Sequence, residues 1–313
     1  QGSLNNKGVE FSLNAQIIDS SSWKWSVSGN IGVNRNEISD LGLLPADFGC
    51  LGERVGYYGN SLGDHFGVGH IFLAGEAPGL FYGYVTQGIV QKEDITENGI
   101  KYIKQDGSVG YYQTVNKTTP VAGDVKYVDR NGDGVVDDND RDIIGNPNPD
   151  FTYGFQTKVS WKSLSLSASF NGVQGRDILN VGNRYNNTPG TKSNNVTRKA
   201  FQNMWTDENP SNLYPKSTFV VQNMVMDRYV EDGSYLRCSD ITLSYVLPAK
   251  WTNKIGIKNT SVYASVKNAF VITDYSGYDP EVNSFAFDGL RPGVDMNSYP
   301  TPRSFVFGLN LTF

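Results

Sequence analysis

The chain of 313 residues is rich in residues that favour strands and turns, with 34 glycines, 18 tyrosines and 16 phenylalanines. Its net charge of −5 gives no electrostatic basis for binding nucleic acid, and it lacks the run of about 20 apolar residues that forms a transmembrane helix. A mean hydropathy of −0.39 is still compatible with a membrane β-barrel, because alternate residues of such strands face a polar lumen.

Seven segments alternate apolar and polar residues with a period of two, which predicts an all-β protein. The first two segments run for about ten residues or more, whereas an ordinary strand has about five or six. Strands of this length favour a barrel that spans a membrane. In chain order, the predicted strands cover residues 9–17, 23–33, 153–161, 164–170, 241–247, 262–270 and 305–313.

The predicted connections between these strands alternate between short and long, as in outer-membrane barrels with short periplasmic turns and long extracellular loops. Aromatic residues near the short turns predict an interfacial girdle, formed by Trp23, Trp25, Trp161 and Phe313. A soluble β-sandwich with long loops is the alternative, and it leaves the strand length unexplained. The short connections are residues 19–22, 162–163 and 248–259, and the long ones are 37–150, predicted to be irregular, 176–233 and 274–303.

Seven strands cannot close a bacterial outer-membrane barrel, which needs an even number of strands. The two edge strands would be exposed to lipid with unpaired backbone groups. We therefore expect that the chain is a fragment of a longer protein or that another chain completes the barrel. The first residues of the chain form no signal peptide and lead almost directly into a strand, as expected for the middle of a protein.

An acidic loop at residues 129–140 has the ligand spacing of an EF-hand calcium loop. Gly134 lies at position 6, where the loop turns sharply, and Asp140 replaces the usual glutamate at position 12. No amphipathic helix flanks the loop, so a structural Ca²⁺ is predicted rather than a calcium sensor. The alternative is a solvated acidic turn without metal. The predicted ligands are Asp129, Asn131, Asp133, the Val135 carbonyl, Asp137 and Asp140.

Neither catalytic residues nor a catalytic cofactor can be assigned from the sequence. The chain has two histidines, His65 and His70, and no arrangement of serine, cysteine, histidine and aspartate that indicates nucleophilic catalysis. Cys50 and Cys238 are far apart in sequence, and whether they pair is left open. Aromatic loop residues either stack on sugars, contact a lid or pack against one another; they are Tyr57, Tyr58, Tyr82, Tyr84 and Trp205.

The sequence resembles the C-terminal part of SusC/RagA-type TonB-dependent transporters of the Bacteroidota outer membrane. The motifs that carry this resemblance occur in family order along nearly the whole chain. They include NNKGVEFSLN at residues 5–14, GDVKYVDRNGDGVVDDNDRDIIGNPNPDFTYGF at 123–155, SFNGVQGRDILN at 169–180, YLRCSDITLSYVLP at 235–248 and YPTPRSFVFGLNLTF at 299–313.

The resemblance implies that these are the last seven strands of a plugged barrel of about 22 strands. It also implies a SusD-like surface lipoprotein as partner, energy from TonB–ExbB–ExbD, and oligosaccharides or peptides as substrates. The terminal Phe313 is similar to the residue that the barrel-assembly machinery recognises. The plug and the TonB box have no counterpart in this sequence. The alternative function is a calcium-stabilised soluble adhesin or carbohydrate-binding β-protein at the cell surface.

Overall fold

A computed structural model describes residues 2–42, 50–51, 54–63, 66–188, 195–217, 224–252, 257 and 259–312. Within these residues, the seven predicted strands form one sheet in which every neighbouring pair is antiparallel and the spatial order follows the chain. The strands are β1 (Ser3–Asp19), β2 (Trp23–Asp40), β3 (Phe151–Trp161), β4 (Leu164–Gln174), β5 (Tyr235–Val246), β6 (Asn259–Thr273) and β7 (Ser304–Thr312).

Consecutive strands are joined alternately by short and by long connections, as predicted. Three residues separate β1 from β2, and the two residues Lys162 and Ser163 separate β3 from β4. The connection from β5 to β6 contains the short helix Ala249–Thr252. All tight turns therefore lie at one end of the sheet, the turn end, and the long connections lie at the other, the loop end.

The first long connection is not irregular, so this part of the sequence prediction was wrong. It contains many short strands and two 3-10 turns, because small segments of it pair with one another rather than with the sheet. The strands are 50–51, 54–58, 70–73, 80–84, 86–89, 95–96, 99–103, 109–112, 114–115, 125–127, 135–136 and 141–145, and the 3-10 turns are 92–94 and 138–140.

The second and third long connections add a few further elements. Two short helices in the second connection span Val181–Asn187 and Arg198–Asn203. The strand Asp177–Asn180 pairs with Val230–Asp232 on one side and with Val294–Asp295 of the third connection on the other. A 3-10 turn at Asp227–Tyr229 directly precedes the strand Val230–Asp232.

The hydrophobic core lies mostly in the long connections and not in the sheet. One cluster of buried residues joins all three connections, with Phe81 and Tyr127 from the first, Leu179 and Trp205 from the second, and Val294 from the third. The three long connections therefore fold together as one body at the loop end, which we call the loop body. Among the described residues, no helix has both the length and the apolar character that crossing a membrane requires.

Candidate functional site

One face of the sheet is apolar across its whole width, because the register places like residues beside one another. Residues that pair directly on neighbouring strands share a face. Near the turn end, one such row crosses six strands, and the next row follows two residues further along. The first row is Trp23, Trp161, Leu164, Tyr245, Val262 and Leu309. The second is Trp25, Val159, Leu166, Leu243, Ala264 and Phe307.

This apolar face is exposed, although exposure to water would be costly. Phe307 is 80% exposed, Phe305 67% and Val9 74%. A contiguous apolar surface of this size is unusual on a soluble monomer and indicates contact with lipid or with another apolar surface. The face therefore has the properties of the outer wall of a membrane barrel.

The opposite face of the same strands is polar, as the wall of a water-filled lumen must be. The intervening register positions carry Ser26, Lys158, Ser167, Thr242 and Ser265. On this face the Asp240 carboxylate accepts hydrogen bonds from the hydroxyls of Thr242 and Ser265, each at 2.7 Å. The Lys267 ammonium lies 2.7 Å from the same carboxylate.

Aromatic residues mark the turn end of the apolar face, where the girdle was predicted. Trp23 and Trp161 stack with ring centroids 5.9 Å apart. The indole N–H of Trp25 donates to the hydroxyl of Thr157 at 3.0 Å, which satisfies its one polar atom. The predicted contribution of Phe313 lies outside the described residues. A two-faced sheet with this girdle defines a segment of a transmembrane β-barrel.

In the acidic loop, the first and last predicted ligands are buried. Asp129 and Asp140 are 2% and 0% exposed, and among the described residues neither carboxylate forms an ion pair with a basic side chain. Burial raises the pKa of Asp140, backbone N–H donors oppose this shift, and the neighbouring Asp129 charge adds to it. Backbone N–H groups of Gly132 and Gly134 donate to Asp129, and those of Arg130 and Asp137 donate to Asp140.

The middle of the loop also follows the predicted geometry. Gly134 has a φ of +87°, which favours glycine at the sharp turn. The carbonyls of Gly134 and Val136 accept hydrogen bonds from the backbone N–H groups of Gln113 and Asn116. Because successive carbonyls of a strand point to opposite sides, the Val135 carbonyl points away from those partners, as a ligand at position 7 must.

The other three predicted ligands do not converge with the buried pair. The Asn131 amide donates to Asp133 at 2.9 Å, and Asp137 accepts from the N–H of Asn139 at 2.8 Å. In the described part of the chain, no group of three or more histidine, cysteine, aspartate or glutamate side chains is arranged to hold a metal ion. Binding of Ca²⁺ by the whole predicted set would therefore require the side chains of Asn131, Asp133 and Asp137 to rotate toward Asp129 and Asp140.

The aromatic loop residues that the sequence singled out pack mainly within the loop body. Tyr82, Tyr84 and Trp205 are buried. Tyr58 stacks on Tyr82 with centroids 5.6 Å apart, and the Arg141 guanidinium lies 4.1 Å from the Tyr82 ring centre. Burial raises the pKa values of Tyr82 and Tyr84 above their usual range. These three rings are consequently unavailable to stack on a sugar.

Several exposed aromatic residues were missed at the sequence level, since they lie in a connection without periodicity. Tyr278, Phe287 and Tyr299 of the third connection are all strongly exposed. Of the histidines, His70 is buried in the loop body, and His65 lies outside the described residues. Cys238 is a buried free thiol, while the side chain of Cys50 lies outside the described part.

The curated relatives and the solved structure that match this chain belong to one class of protein. No family model matches the chain. TonB-dependent receptor P26 of Formosa agariphila is 31% identical over the whole chain, and TonB-dependent receptor SusC of Bacteroides thetaiotaomicron is 32% identical. The chain spans 29% and 27% of these two relatives. A solved structure of the RagAB peptide transporter covers the whole chain with a TM-score of 0.69 at 26% identity, and the chain spans 30% of it.

The chain is thus a segment of an outer-membrane β-barrel of the TonB-dependent receptor class. It belongs to the SusC/RagA family of these transporters, as the sequence motifs predicted. The named relatives are receptors and transporters rather than enzymes, in agreement with the sequence.

Proposed function

We propose that this chain supplies the last seven strands of a plugged outer-membrane importer that takes up oligosaccharides or peptides. The two-faced sheet carries this proposal, because a wall with one lipid-facing side and one hydrated side belongs to a transmembrane barrel, and the relatives named above are TonB-dependent receptors and a transporter. In this arrangement the turn end lies in the periplasm, and the loop body lies outside the cell. A soluble adhesin would expose these apolar rows to water, which soluble monomeric proteins rarely do.

The proposed partners follow from the relatives. RagAB is a peptide transporter, and SusC is a TonB-dependent receptor. By analogy, a SusD-like lipoprotein covers the loop body of this protein, and TonB–ExbB–ExbD supplies energy through a part of the protein beyond this sequence. The Bacteroidota origin of the motifs is proposed on the same analogy.

The importer proposal can be tested in the organism that carries the gene. The polypeptide is first purified from outer membranes, and its intact mass and peptide map are measured. We expect it to extend well upstream of residue 1. A gene deletion is then compared with the parent strain for growth on mixed oligosaccharides and on mixed peptides. Loss of growth on one class supports import, whereas normal growth on both, or extraction without detergent, would contradict it.

We also propose that residues 129–140 bind a structural Ca²⁺. The twelve-residue spacing, the turn at Gly134 and the two buried carboxylates support this proposal. Two buried carboxylates without a basic partner repel each other in a low dielectric, and a divalent cation between them would remove that cost. The ion would be held by Asp129, Asn131, Asp133, the Val135 carbonyl, Asp137 and Asp140.

Terbium luminescence provides a direct test of the calcium site. The Tyr102 hydroxyl donates to the Asp129 carbonyl at 2.6 Å, so its ring lies close enough to sensitise Tb³⁺ in the loop. We expect a Tb³⁺ signal that Ca²⁺ displaces and that the double substitution Asp129→Ala with Asp133→Ala abolishes. Chelator should increase cleavage of the loop by protease without unfolding the barrel. Equal cleavage with and without chelator would refute the site, and Asp106→Ala, in an exposed turn, is the control.

A further inference from the structure

The short connections at the turn end carry a charge opposite to that of the chain as a whole. The predicted ranges 19–22, 162–163 and 248–259 contain four lysines, one aspartate and no other charged residue, whereas the net charge of the chain is −5. The Asp19 carboxylate lies 3.7 Å from the Lys24 ammonium. The turn end is therefore a cationic edge of an acidic protein. Its four lysines are Lys162, Lys250, Lys254 and Lys258.

The one aspartate does not neutralise these lysines. Lys24 is two residues from Ser26 on β2, so it shares the polar lumen face with that residue, and Asp19 pairs with Lys24 across the sheet. Among the described residues, neither Lys162 nor Lys250 forms an ion pair, and both side chains are exposed. The charges of these two lysines are thus left without a counter-charge from the described part of the chain.

Lys162 lies where the apolar face ends. Its ammonium nitrogen is 5.4 Å from the ring centroid of Trp161, and Trp161 stacks on Trp23 in the first apolar row. A lysine over an indole ring is attracted electrostatically to the ring while its charge stays in contact with water. Because indole rings in this position lie at the boundary between lipid and water, the Lys162 charge is at the depth of the lipid headgroups.

Backbone hydrogen bonds join the short connections into one continuous structure. The Lys162 N–H donates to the Ser22 carbonyl at 2.8 Å, and the Val246 N–H donates to the Ser163 carbonyl at 2.9 Å. The helix Ala249–Thr252 follows, and the side chains of its lysine and its tryptophan are exposed. Cations and indole rings therefore lie along the ends of neighbouring strands. We call residues 20–23, 161–163 and 246–252 the turn-end rim.

We propose that the turn-end rim binds the headgroups of anionic phospholipids in the leaflet that faces the periplasm. The inference uses the orientation of the proposed barrel but neither its transport activity nor its substrate. A lysine beside a membrane surface attracts anionic lipids, and the exposed rings of Trp23, Trp161 and Trp251 hold the rim at the level of the headgroups. A phosphate ester in solution would satisfy the lysines but would leave these rings in water. The occupant that uses both is therefore a lipid.

Photolabelling of the full-length transporter in lipid vesicles tests this proposal. Phosphatidylglycerol and phosphatidylcholine, each with a diazirine next to its glycerol backbone, are compared in otherwise identical vesicles, and mass spectrometry measures the labelling of chymotryptic peptides from the rim. We expect the anionic lipid to label these peptides more strongly. The ratio of anionic to neutral labelling should fall about fivefold for each of Lys162→Gln and Lys250→Gln and persist in Lys162→Arg. Lys101→Gln, which removes an exposed lysine of the loop body, is the matched control and should leave the ratio unchanged.

Equal labelling by the two lipids, or a preference that survives Lys162→Gln combined with Lys250→Gln, would overturn the proposal. Competition by glycerol phosphate, which offers the phosphate without acyl chains, would overturn it as well, because the site would then bind a soluble ester. An equal loss in Lys101→Gln would show a general charge effect instead of a site at the rim. Migration of the folded and heated barrels on gels confirms that each variant is assembled. If the lipid preference fails while the growth test is positive, the importer proposal stands.

Discussion

Trp23 and Trp161 are direct cross-strand partners, and their rings stack with centroids 5.9 Å apart beside the two tight turns of the sheet. Both side chains are nearly half exposed on the apolar face. Indole rings prefer the boundary between lipid and water, where the ring body is apolar and the N–H remains hydrated. The pair therefore marks the height at which the barrel wall leaves the membrane.

The first prediction concerns the energetic coupling of this pair. Substitution of Trp23→Ala, Trp161→Ala and both together should give a coupling free energy of about 1 kcal/mol, because stacked aromatic rings stabilise each other beyond the area they bury. The measurement is urea unfolding of the assembled barrel in lipid vesicles. If the two single effects simply add, the rings do not interact and the contact has no energetic role.

A second prediction uses two adjacent residues of β4 that face opposite ways. Leu166 lies in the second apolar row, and Ser167 lies on the polar face. Leu166→Arg should reduce the unfolding free energy by about 1–2 kcal/mol, because it places a charge in lipid one row inside the Trp23–Trp161 boundary, where the cost is lower than at the bilayer midplane. Ser167→Arg should have a much smaller effect, because its side chain enters a hydrated lumen.

The same vesicle assay checks this pair of substitutions, together with the fraction of protein that assembles. The two variants introduce the same residue at adjacent positions of one strand. A difference in their stability therefore reports the environment of each face. Equal destabilisation by both arginines would contradict the assignment of an outer and an inner wall.

The long strands could be predicted from the sequence because half of their residues face lipid, which imposes a period of two. This signal ends where the strands leave the apolar band. β2 continues to Asp40, past the last alternating residue, Val33, because its pairing with β1 continues above the apolar rows. In the loop body, the strands His70–Leu73 and Leu80–Tyr84 are buried on both faces, so they carry no alternation that the sequence could reveal.

The candidate sites were predictable to different degrees. Ligand spacing indicated the acidic loop, and the turn at Gly134 formed as expected. The directions of Asn131 and Asp133 could not be predicted, because the same oxygens also hydrogen-bond within the loop. The polar cavity that Asn6, Asn36 and Asn148 help to line was missed entirely. It joins β1 and β2 to residues more than a hundred positions away, and only the fold brings them together.

A buried ion pair links the third long connection to β5 of the barrel wall. The Arg237 guanidinium at the start of β5 lies 2.5 Å from the Asp279 carboxylate and 3.3 Å from Glu281. Burial alone would raise the pKa of Asp279, but hydrogen bonds from Glu281 and Thr301 and the Arg237 charge together hold it below its ordinary value. Asp279 therefore stays ionised where this connection meets the barrel wall.

The third prediction is that breaking this pair on one side is worse than removing both partners. Arg237→Met should destabilise the third connection by about 3 kcal/mol, because Asp279 is left buried without its counter-charge. The combined substitution Arg237→Met with Asp279→Leu should recover part of that loss. Hydrogen exchange of residues 274–303 measures the effect. A double variant that is less protected than Arg237→Met alone would contradict this prediction, because Asp279 would then stabilise the connection without Arg237, through the hydrogen bonds that it accepts from Glu281 and Thr301.

His70 joins the first connection to the third in a buried position. One ring nitrogen lies 2.9 Å from the Pro292 carbonyl, and the ring meets Phe81 edge-on with centroids 5.3 Å apart. Within the described part of the chain, the other ring nitrogen, Nδ1, is buried and has no hydrogen-bond partner. Burial lowers the pKa of His70 from 6.5 to about 4, with the Arg291 charge lowering it further and the Pro292 carbonyl and Asp288 opposing.

The last prediction is a loss of loop-body stability in acid that depends on His70. Because its pKa is lower in the folded state, the unfolded state binds more protons between pH 6.5 and about 4. Stability should therefore fall as the pH decreases through this window and level off below it. One pKa unit corresponds to about 1.4 kcal/mol, so the full contribution is roughly 3 kcal/mol. His70→Gln keeps a donor for the Pro292 carbonyl but cannot titrate, and it should flatten the pH dependence of hydrogen exchange at residues 70–73. If the variant and the parent protein lose protection equally between these pH values, another group is responsible for the acid sensitivity.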